Sequence, residues 1–183
     1  MNYLQIWLGS EVTKSVQISI NSLKDTMLEG DTYSLITDFT EADEFMNDWW
    51  KSCLNAANND YEKWATYSEI LRINYAIKDP DLLYADTDVL LYGKPNPVYE
   101  DIPLLADDLN GFRGYWPSKG MTCLHLFYVN DACWWFEELL SKMYSLKAEF
   151  AAYHLALCEV VKPASIPFTT YKHKFGKHYD IDI

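Results

Sequence analysis

The first half of the chain alternates between short apolar runs and longer amphipathic segments. Three apolar runs predict buried strands: "YLQIWLG" (3–9), "YSLITD" (33–38) and "LLYAD" (82–86). In the segments between them, apolar residues recur on one side as in a helix: Val16, Ile20, Leu23 and Met27, then Phe45, Trp49 and Leu54 in 41–57, then Trp64, Tyr67, Leu71 and Tyr75 in 61–78. Alternating strands and helices predict an α/β fold with a mostly parallel sheet flanked by helices.

The second half of the chain has a less regular pattern. A proline-rich loop is followed by "MTCLHLFYV" (121–129), which predicts a strand. Helices are expected over 132–146 and 148–161, the first capped by Asn130 or Asp131, and the tail after Pro163 predicts loop and a short strand.

Composition limits the kind of protein this is. A length of 183 residues predicts a single domain over 1–183. The net charge of -12 gives an acidic surface that repels nucleic acids, so no nucleic-acid partner is expected. The chain has no segment typical of a signal peptide or a transmembrane helix. Its four cysteines form no CxxC pair, which argues against a zinc site and favours buried, reduced thiols in a cytoplasmic protein over disulfides.

Two aspartates, Asp86 and Asp88, follow the third predicted strand in "LLYADTDVLL" (82–91). In open α/β sheets, ligands bind at the carboxyl ends of the strands. In an extended chain, residues two apart point to the same side, and two carboxylates placed so repel unless a cation or a proton lies between them. The pair therefore indicates a site for Mn²⁺ or Mg²⁺, which take oxygen ligands. The alternative is a turn in which both aspartates only cap backbone amides.

Two enzyme classes place D-x-D after an apolar strand. In phosphatases of the haloacid dehalogenase type the motif is D-x-D-x-T/V, and "DTDV" fits it, with "LLADDLNG" (104–111) similar to their second acidic motif. Only about twenty residues separate the two motifs here, which argues against that class because it needs full βα units between them. The other class is the nucleotide-sugar glycosyltransferases of the GT-A fold.

The segment "WATYSEILRINYAIKDPDLLYADTDVLL" (64–91) resembles the pattern S-D-x-x-R-Y…G-G-x-Y-x-D-x-D-V of GT-A sugar transferases, a family with fungal-type mannosyltransferases and glucosylating toxin domains. Ser68, Glu69 and Arg72 match S-D-x-x-R with Glu in place of Asp, and Tyr84 matches the tyrosine. The usual Gly-Gly is missing. "LQIWLGS" (4–10) is similar to the family's opening I-W-x-G strand. "YKHKFGKHY" (171–179) is loosely similar to its H-x-x-G-x-W tail, without the tryptophan.

The resemblance implies that D-x-D holds a metal ion on the diphosphate of the donor. It implies that residues 1–91 bind the nucleotide-sugar and that residues 92–183 hold the acceptor site and the tail. It also implies that Trp7 stacks on a uracil base, where a core tryptophan is the alternative, and that Tyr84 lies in the donor pocket. His173 is the expected third metal ligand, with His178 behind it.

Helix geometry and side-chain chemistry also indicate a function for the residues on the third predicted helix, independently of the family resemblance. Ser68, Glu69 and Arg72 are spaced so that they share a helix face, and that helix runs into the D-x-D strand. Arg72 has a fork of donors suited to a diphosphate or to sugar hydroxyls, and Glu69 can accept hydrogen bonds from sugar hydroxyls. An ordinary surface ion pair between Glu69 and Arg72 is the alternative.

The sequence thus predicts a metal-dependent glycosyltransferase that moves a sugar, expected from a UDP-sugar, to an acceptor hydroxyl on a glycan, protein or small molecule. The resemblance implies retention of the anomeric configuration. Asp86, Asp88 and Arg72 are the predicted catalytic residues. A protein that binds nucleotide or glycan on a degenerate transferase fold, without turnover, is the alternative from another class.

Overall fold

The computed structural model describes residues 1–9, 11–91, 126–129, 135–150, 152, 155, 156, 160 and 176–178. Six strands lie in this part: β1 (Asn2–Ile6), β2 (Thr32–Ile36), β3 (Leu82–Ala85), β4 (Val89–Leu91), β5 (Leu126–Tyr128) and β6 (Gly176–His178). The helices are α1 (Lys14–Lys24), a 3₁₀ helix (Phe39–Phe45), α2 (Asp48–Ala56), α3 (Asp60–Lys78) and α4 (Trp135–Ser145).

The main sheet has the strand order β2-β1-β3-β5. The first three strands are parallel, and β5 pairs with β3 in the antiparallel direction. Leu4 of β1 lies between Ser34 of β2 and Tyr84 of β3, which fixes the register at the centre of the sheet. The predicted α/β fold with a mostly parallel sheet flanked by helices is confirmed.

Alternate residues of the central strands enter two different apolar clusters. Leu4, Ile6 and Tyr84 pack in the larger cluster with residues of α2, α3 and α4. Tyr3 and Leu83, one position away in each strand, pack in the smaller cluster with residues of α1 and β4. Because side chains alternate across a strand, the two clusters lie on opposite faces of the sheet.

Helices α1 and α3 each begin after a residue whose side chain accepts a hydrogen bond from the first turn. Thr13 accepts from Val16 N at 3.3 Å, and Asn59 accepts from Glu62 N at 2.9 Å. Such caps satisfy backbone N–H groups that the helix itself leaves without partners. Helix α3 ends at Lys78, two residues before Pro80, as expected for a residue that cannot continue a helix.

Two of the predicted helical patterns differ from the structure. The segment 41–57 is split into the 3₁₀ helix and α2, and the fully buried residues of α2 are Trp50 and Cys53 rather than Trp49 and Leu54. In α3 the predicted stripe is confirmed for Leu71, which is fully buried, and for Tyr67 and Tyr75, which pack against the core, but not for Trp64, which is 41% exposed. The buried residues of α3 are Thr66, Glu69, Ile70, Leu71, Arg72, Ile73 and Ala76.

Several predictions for the second half are confirmed where the structure describes it. Strand β5 lies in the predicted strand 121–129, α4 lies in the predicted helix 132–146, and β6 is the short strand expected in the tail. The proposed caps Asn130 and Asp131 fall outside the described residues.

Cys53 is a buried free thiol, and its burial raises the pKa of the thiol to about 12. Among the described helices, none has the length and apolar character needed to cross a membrane.

Candidate functional site

The direction of the strand order reverses next to β1, between β2 on one side and β3 on the other. After β1 the chain crosses by way of α1 to β2 on one side, and it then returns by way of α2 and α3 to β3 on the other side. In open α/β sheets, ligands bind at the carboxyl ends of the strands beside such a reversal. Trp7 follows β1 and Asp86 follows β3, so both stand at this edge.

The D-x-D motif lies in a tight turn between β3 and β4. Strand β3 ends at Ala85, and Val89 N donates to Asp86 O at 3.1 Å across the turn. The extended-chain argument for the two aspartates is therefore wrong, because a turn and not a strand sets their directions. The predicted position at the carboxyl end of the third strand is confirmed. Asp86 and Asp88 are both partly buried, and Oδ1 of Asp88 is shielded from solvent.

The Asp86 carboxylate is held by two side chains on the α3 face of the sheet. The Tyr84 hydroxyl donates a hydrogen bond to Oδ1 of Asp86, and Nη1 of Arg72 lies 3.4 Å from the same oxygen. The guanidinium of Arg72 also lies 5.8 Å from the centre of the Tyr84 ring. Burial, and then the negative charge of Asp86, raise the pKa of Tyr84 well above its usual value, so its hydroxyl remains a hydrogen-bond donor.

Helix α3 brings Ser68, Glu69 and Arg72 to the same place. Ser68 lies close enough to the Tyr84 hydroxyl to lower its pKa, which places the helix beside the strand that carries the motif. Glu69 is 4% exposed and Arg72 is 8% exposed. The alternative of a surface ion pair is therefore wrong, because both residues are buried against the sheet.

Glu69 has an unusual protonation state for a carboxyl group. Burial raises its pKa from 4.5 to about 8, an effect that the positive charge of Arg72 opposes and the negative charge of Asp86 increases. The site thus holds one buried cation beside one carboxylate and one carboxyl group that is mainly protonated at neutral pH. This arrangement limits the negative charge that faces Arg72 before any ligand binds.

A buried polar network that the sequence analysis missed supports the motif from the other face of the sheet. Gln5 Nε2 donates to Ser19 Oγ at 2.9 Å and to Asp86 O at 3.3 Å, and Ser19 Oγ donates to Val89 O at 2.6 Å. Both Gln5 and Ser19 are fully buried. The signal was present in the sequence, because a glutamine in the middle of the apolar run "YLQIWLG" has to find partners when it is buried.

Trp7 and Trp64 lie near the carboxyl end of β1. Trp7 is half-buried, and its backbone N–H donates to Ile36 O at 2.8 Å. At Gly9 the backbone has φ +116°, and an added Cβ would stand 3.3 Å from the Trp64 indole. The described contacts connect Ser68, Arg72, Tyr84 and Asp86 to one another, while the role of Trp7 in base stacking stays a prediction.

The tail of the chain returns to the D-x-D turn. In the antiparallel pair of β4 and β6, His178 lies opposite Val89, the residue after Asp88. His173 lies outside the described residues, so its predicted role as a metal ligand stays a prediction. In the part of the chain that the structure describes, no three Asp, Glu, His or Cys side chains are grouped closely enough to hold a metal ion.

A cavity of about 350 Å³ lies beside β2 in the described part of the chain. Its wall includes Ile36, Thr37 and Asp38 at the carboxyl end of β2, and Glu41 and Tyr75 across from them. None of the predicted site residues lines it, so this cavity is separate from the group around Asp86.

Comparisons with known proteins bear on the fold. No family model matches the chain, and no curated protein matches it either. A solved structure described as PaToxG Glycosyltransferase matches with a TM-score of 0.50, covering 90% of this chain and 73% of that chain at 14% identity. The chain therefore shares its fold with this glycosyltransferase. The predicted fold is therefore confirmed at this level, whereas the metal, the donor and the residue roles stay predictions.

Proposed function

We propose that this protein is a metal-dependent glycosyltransferase that transfers a sugar from a nucleotide-sugar, a UDP-sugar in the first place, to an acceptor hydroxyl. The observation that carries the proposal is the connected group of Ser68, Arg72, Tyr84 and Asp86 at the carboxyl end of β3 in a glycosyltransferase fold. Residues that a sequence resemblance assigned to one donor site are also in contact with one another.

Asp86 and Asp88 would hold the divalent cation, Mn²⁺ or Mg²⁺. Their carboxylates are the oxygen donors that both ions prefer, and the turn that carries them lies at the ligand-binding edge of the sheet. Two carboxylates are an incomplete ligand set, so the proposal assigns a further ligand to His173 or His178 and the rest to the donor. When bound, the ion neutralises charge that develops on the leaving nucleotide diphosphate.

The donor would be gripped by side chains of α3 and β3. Arg72 is a buried cation whose neighbours fix the plane of its guanidinium, which suits a fork of hydrogen bonds to diphosphate or sugar oxygens. Glu69, as a mainly protonated carboxyl group, can both donate to and accept from a sugar hydroxyl. Tyr84 and Ser68 hold Asp86 in place, and Trp7 would stack on the base.

The proposed reaction retains the anomeric configuration of the donor sugar. In this proposal no side chain acts as a separate nucleophile, and the acceptor hydroxyl attacks from the face that the diphosphate leaves. The coupling constant of the anomeric proton in the product tests this step. An α-linked product from an α-linked donor is expected, and a β-linked product would contradict retention.

Release of free nucleotide diphosphate from UDP-sugars tests the activity itself. A transferase releases UDP in the presence of Mn²⁺, and the Asp88→Asn variant loses this release. Asp48→Asn is the matched control, because it makes the same change on a fully exposed side chain. Mn²⁺-dependent binding of the donor without release would instead indicate a binding protein. Turnover of para-nitrophenyl phosphate would indicate a phosphatase.

A further inference from the structure

Two buried side chains, Gln5 of β1 and Ser19 of α1, form hydrogen bonds with the two ends of the turn that carries Asp86 and Asp88. Its first carbonyl, Asp86 O, accepts from Gln5 Nε2 at 3.3 Å, and its last carbonyl, Val89 O, accepts from Ser19 Oγ at 2.6 Å. Gln5 and Ser19 are themselves joined at 2.9 Å, and Val89 N donates back to Asp86 O at 3.1 Å. The four hydrogen bonds form a closed ring around the turn.

We propose that Gln5 and Ser19 are positioning residues, which fix the backbone of the Asp86–Val89 turn and through it the directions of the two carboxylates. This inference rests on the proposed function for its effect on metal binding. Residues that orient metal ligands from outside their coordination shell commonly change metal affinity about 10- to 100-fold when they are altered. Neither Gln5 nor Ser19 has to touch the metal or the donor for this effect.

The hydrogen-bond partners around position 5 require a side chain that both donates and accepts, so they suit the amide of glutamine and would not suit a carboxylate. Nε2 of Gln5 donates twice, to Ser19 Oγ and to Asp86 O, while Oε1 accepts from the Tyr33 hydroxyl at 3.0 Å. A glutamate would place an acceptor against the Asp86 carbonyl oxygen and lose both bonds. Burial raises the pKa of Tyr33 to about 12, so its hydroxyl stays a donor over the working pH range.

The network and the Tyr84–Arg72 pair act on the motif from opposite faces of the sheet. Tyr84 packs in the apolar cluster beneath α3 and holds the Asp86 side chain, whereas Ser19 belongs to α1 and holds the backbone. The carboxylate and its own peptide unit are thus fixed by different elements. A buried polar network with all its members satisfied is rigid, which suits a metal site that needs fixed ligand directions.

Ser22 provides a matched control on the same helix. Its Oγ accepts from Leu91 N at 3.1 Å, two residues beyond the turn, so Ser22→Ala removes the same atom and one hydrogen bond to the same strand. Ser19→Ala and Ser22→Ala therefore differ in which part of β4 they release.

Amide hydrogen exchange tests the structural part without any ligand. In Ser19→Ala and Gln5→Met, the Val89 amide is expected to exchange about tenfold faster, as the loss of one supporting hydrogen bond allows. In Ser22→Ala the Leu91 amide should be affected and the Val89 amide should not. Equal exchange of the Val89 amide in wild type, Ser19→Ala and Gln5→Met would overturn the inference, whether or not the protein binds Mn²⁺.

The Mn²⁺ dependence of UDP release tests the effect on the site. Ser19→Ala should raise the Mn²⁺ concentration for half-maximal release about tenfold, with kcat at saturating Mn²⁺ little changed. If Ser19→Ala only reduced the amount of folded protein, kcat would fall and the Mn²⁺ dependence would not change, and this result would contradict the positioning role. Equal Mn²⁺ dependence in Ser19→Ala and Ser22→Ala would also contradict it. A wild-type protein that shows no Mn²⁺-dependent release or binding refutes the proposed function, and the exchange of the Val89 amide then decides the inference alone.

Discussion

Replacing Glu69 with glutamine tests whether the carboxyl group beside the D-x-D turn is protonated in the folded protein. Glu69 lies on α3, 4% exposed, and burial raises its pKa from 4.5 to about 8. Glutamine has nearly the same shape and cannot ionise. The variant therefore removes the cost of carrying an ionisable group at this buried position while it keeps the packing.

The sign and size of the effect come from the two pKa values. Between about pH 4.5 and pH 8 the folded protein holds a proton that the unfolded chain has released, so the free energy of unfolding falls as the pH rises. One pKa unit corresponds to about 1.4 kcal/mol. The wild-type protein should thus lose on the order of 3 kcal/mol relative to Glu69→Gln between pH 5 and pH 7.5.

Urea unfolding at a series of pH values, with a chelator present, measures this difference. The stability of Glu69→Gln relative to wild type should rise steadily from pH 5 to pH 7.5. Asp60→Asn on the same helix, whose side chain is 76% exposed, measures the effect of removing a surface carboxylate. If the wild-type and Glu69→Gln curves run parallel over this range, Glu69 ionises in the folded protein as it does in the unfolded chain and the reasoning is refuted.

Three further substitutions test the site and the packing. Tyr84→Phe removes the hydroxyl that holds the first D-x-D carboxylate, so kcat/KM for UDP release should fall about tenfold while stability falls by about 1–2 kcal/mol. Gly9→Ala should cost about 1–3 kcal/mol in urea unfolding, more than Gly30→Ala, because both glycines have positive φ but only at Gly9 does a Cβ meet an indole. Trp50→Ala should cost about 3–5 kcal/mol, because Trp50 is fully buried, whereas Trp64→Ala should cost far less; equal costs would contradict the assignment of buried faces.

Strands β1, β2 and β3 could be predicted from the sequence because each lies in a short apolar run that ends at a residue unsuited to burial. The run 82–86 contains β3 and correctly places Asp86 at the carboxyl end. The spacing of Ser68, Glu69 and Arg72 on one helix also predicted that they meet the D-x-D strand, and the ion pair between Arg72 and Asp86 confirms that contact.

The buried faces of the helices could not be predicted in the same way. In α3 the buried face is wider than the predicted stripe, because charged Glu69 and Arg72 also take positions against the sheet that apolar residues usually fill, and Trp64 at one end of the stripe is exposed. Helical periodicity shows where apolar residues lie along a helix. It does not show that polar residues such as Glu69 and Arg72 are buried because other side chains of the fold interact with them. The turn at Asp86 was missed for a related reason: its hydrogen bonds come from Gln5 and Ser19, far away in the sequence.

A thermal-shift titration with UDP-, GDP- and CMP-sugars, with and without Mn²⁺, measures whether the D-x-D turn binds a metal and a nucleotide-sugar together. The claim is that Asp86 and Asp88 together hold a divalent cation on the diphosphate of a nucleotide-sugar. At a donor concentration of about 100 Kd, binding adds about 2.7 kcal/mol, which for a chain of this size raises Tm by roughly 5–10 °C. We expect a shift with UDP-sugars that needs Mn²⁺ and is lost in both Asp86→Asn and Asp88→Asn. No shift with any donor, or a shift that both variants keep, would contradict it.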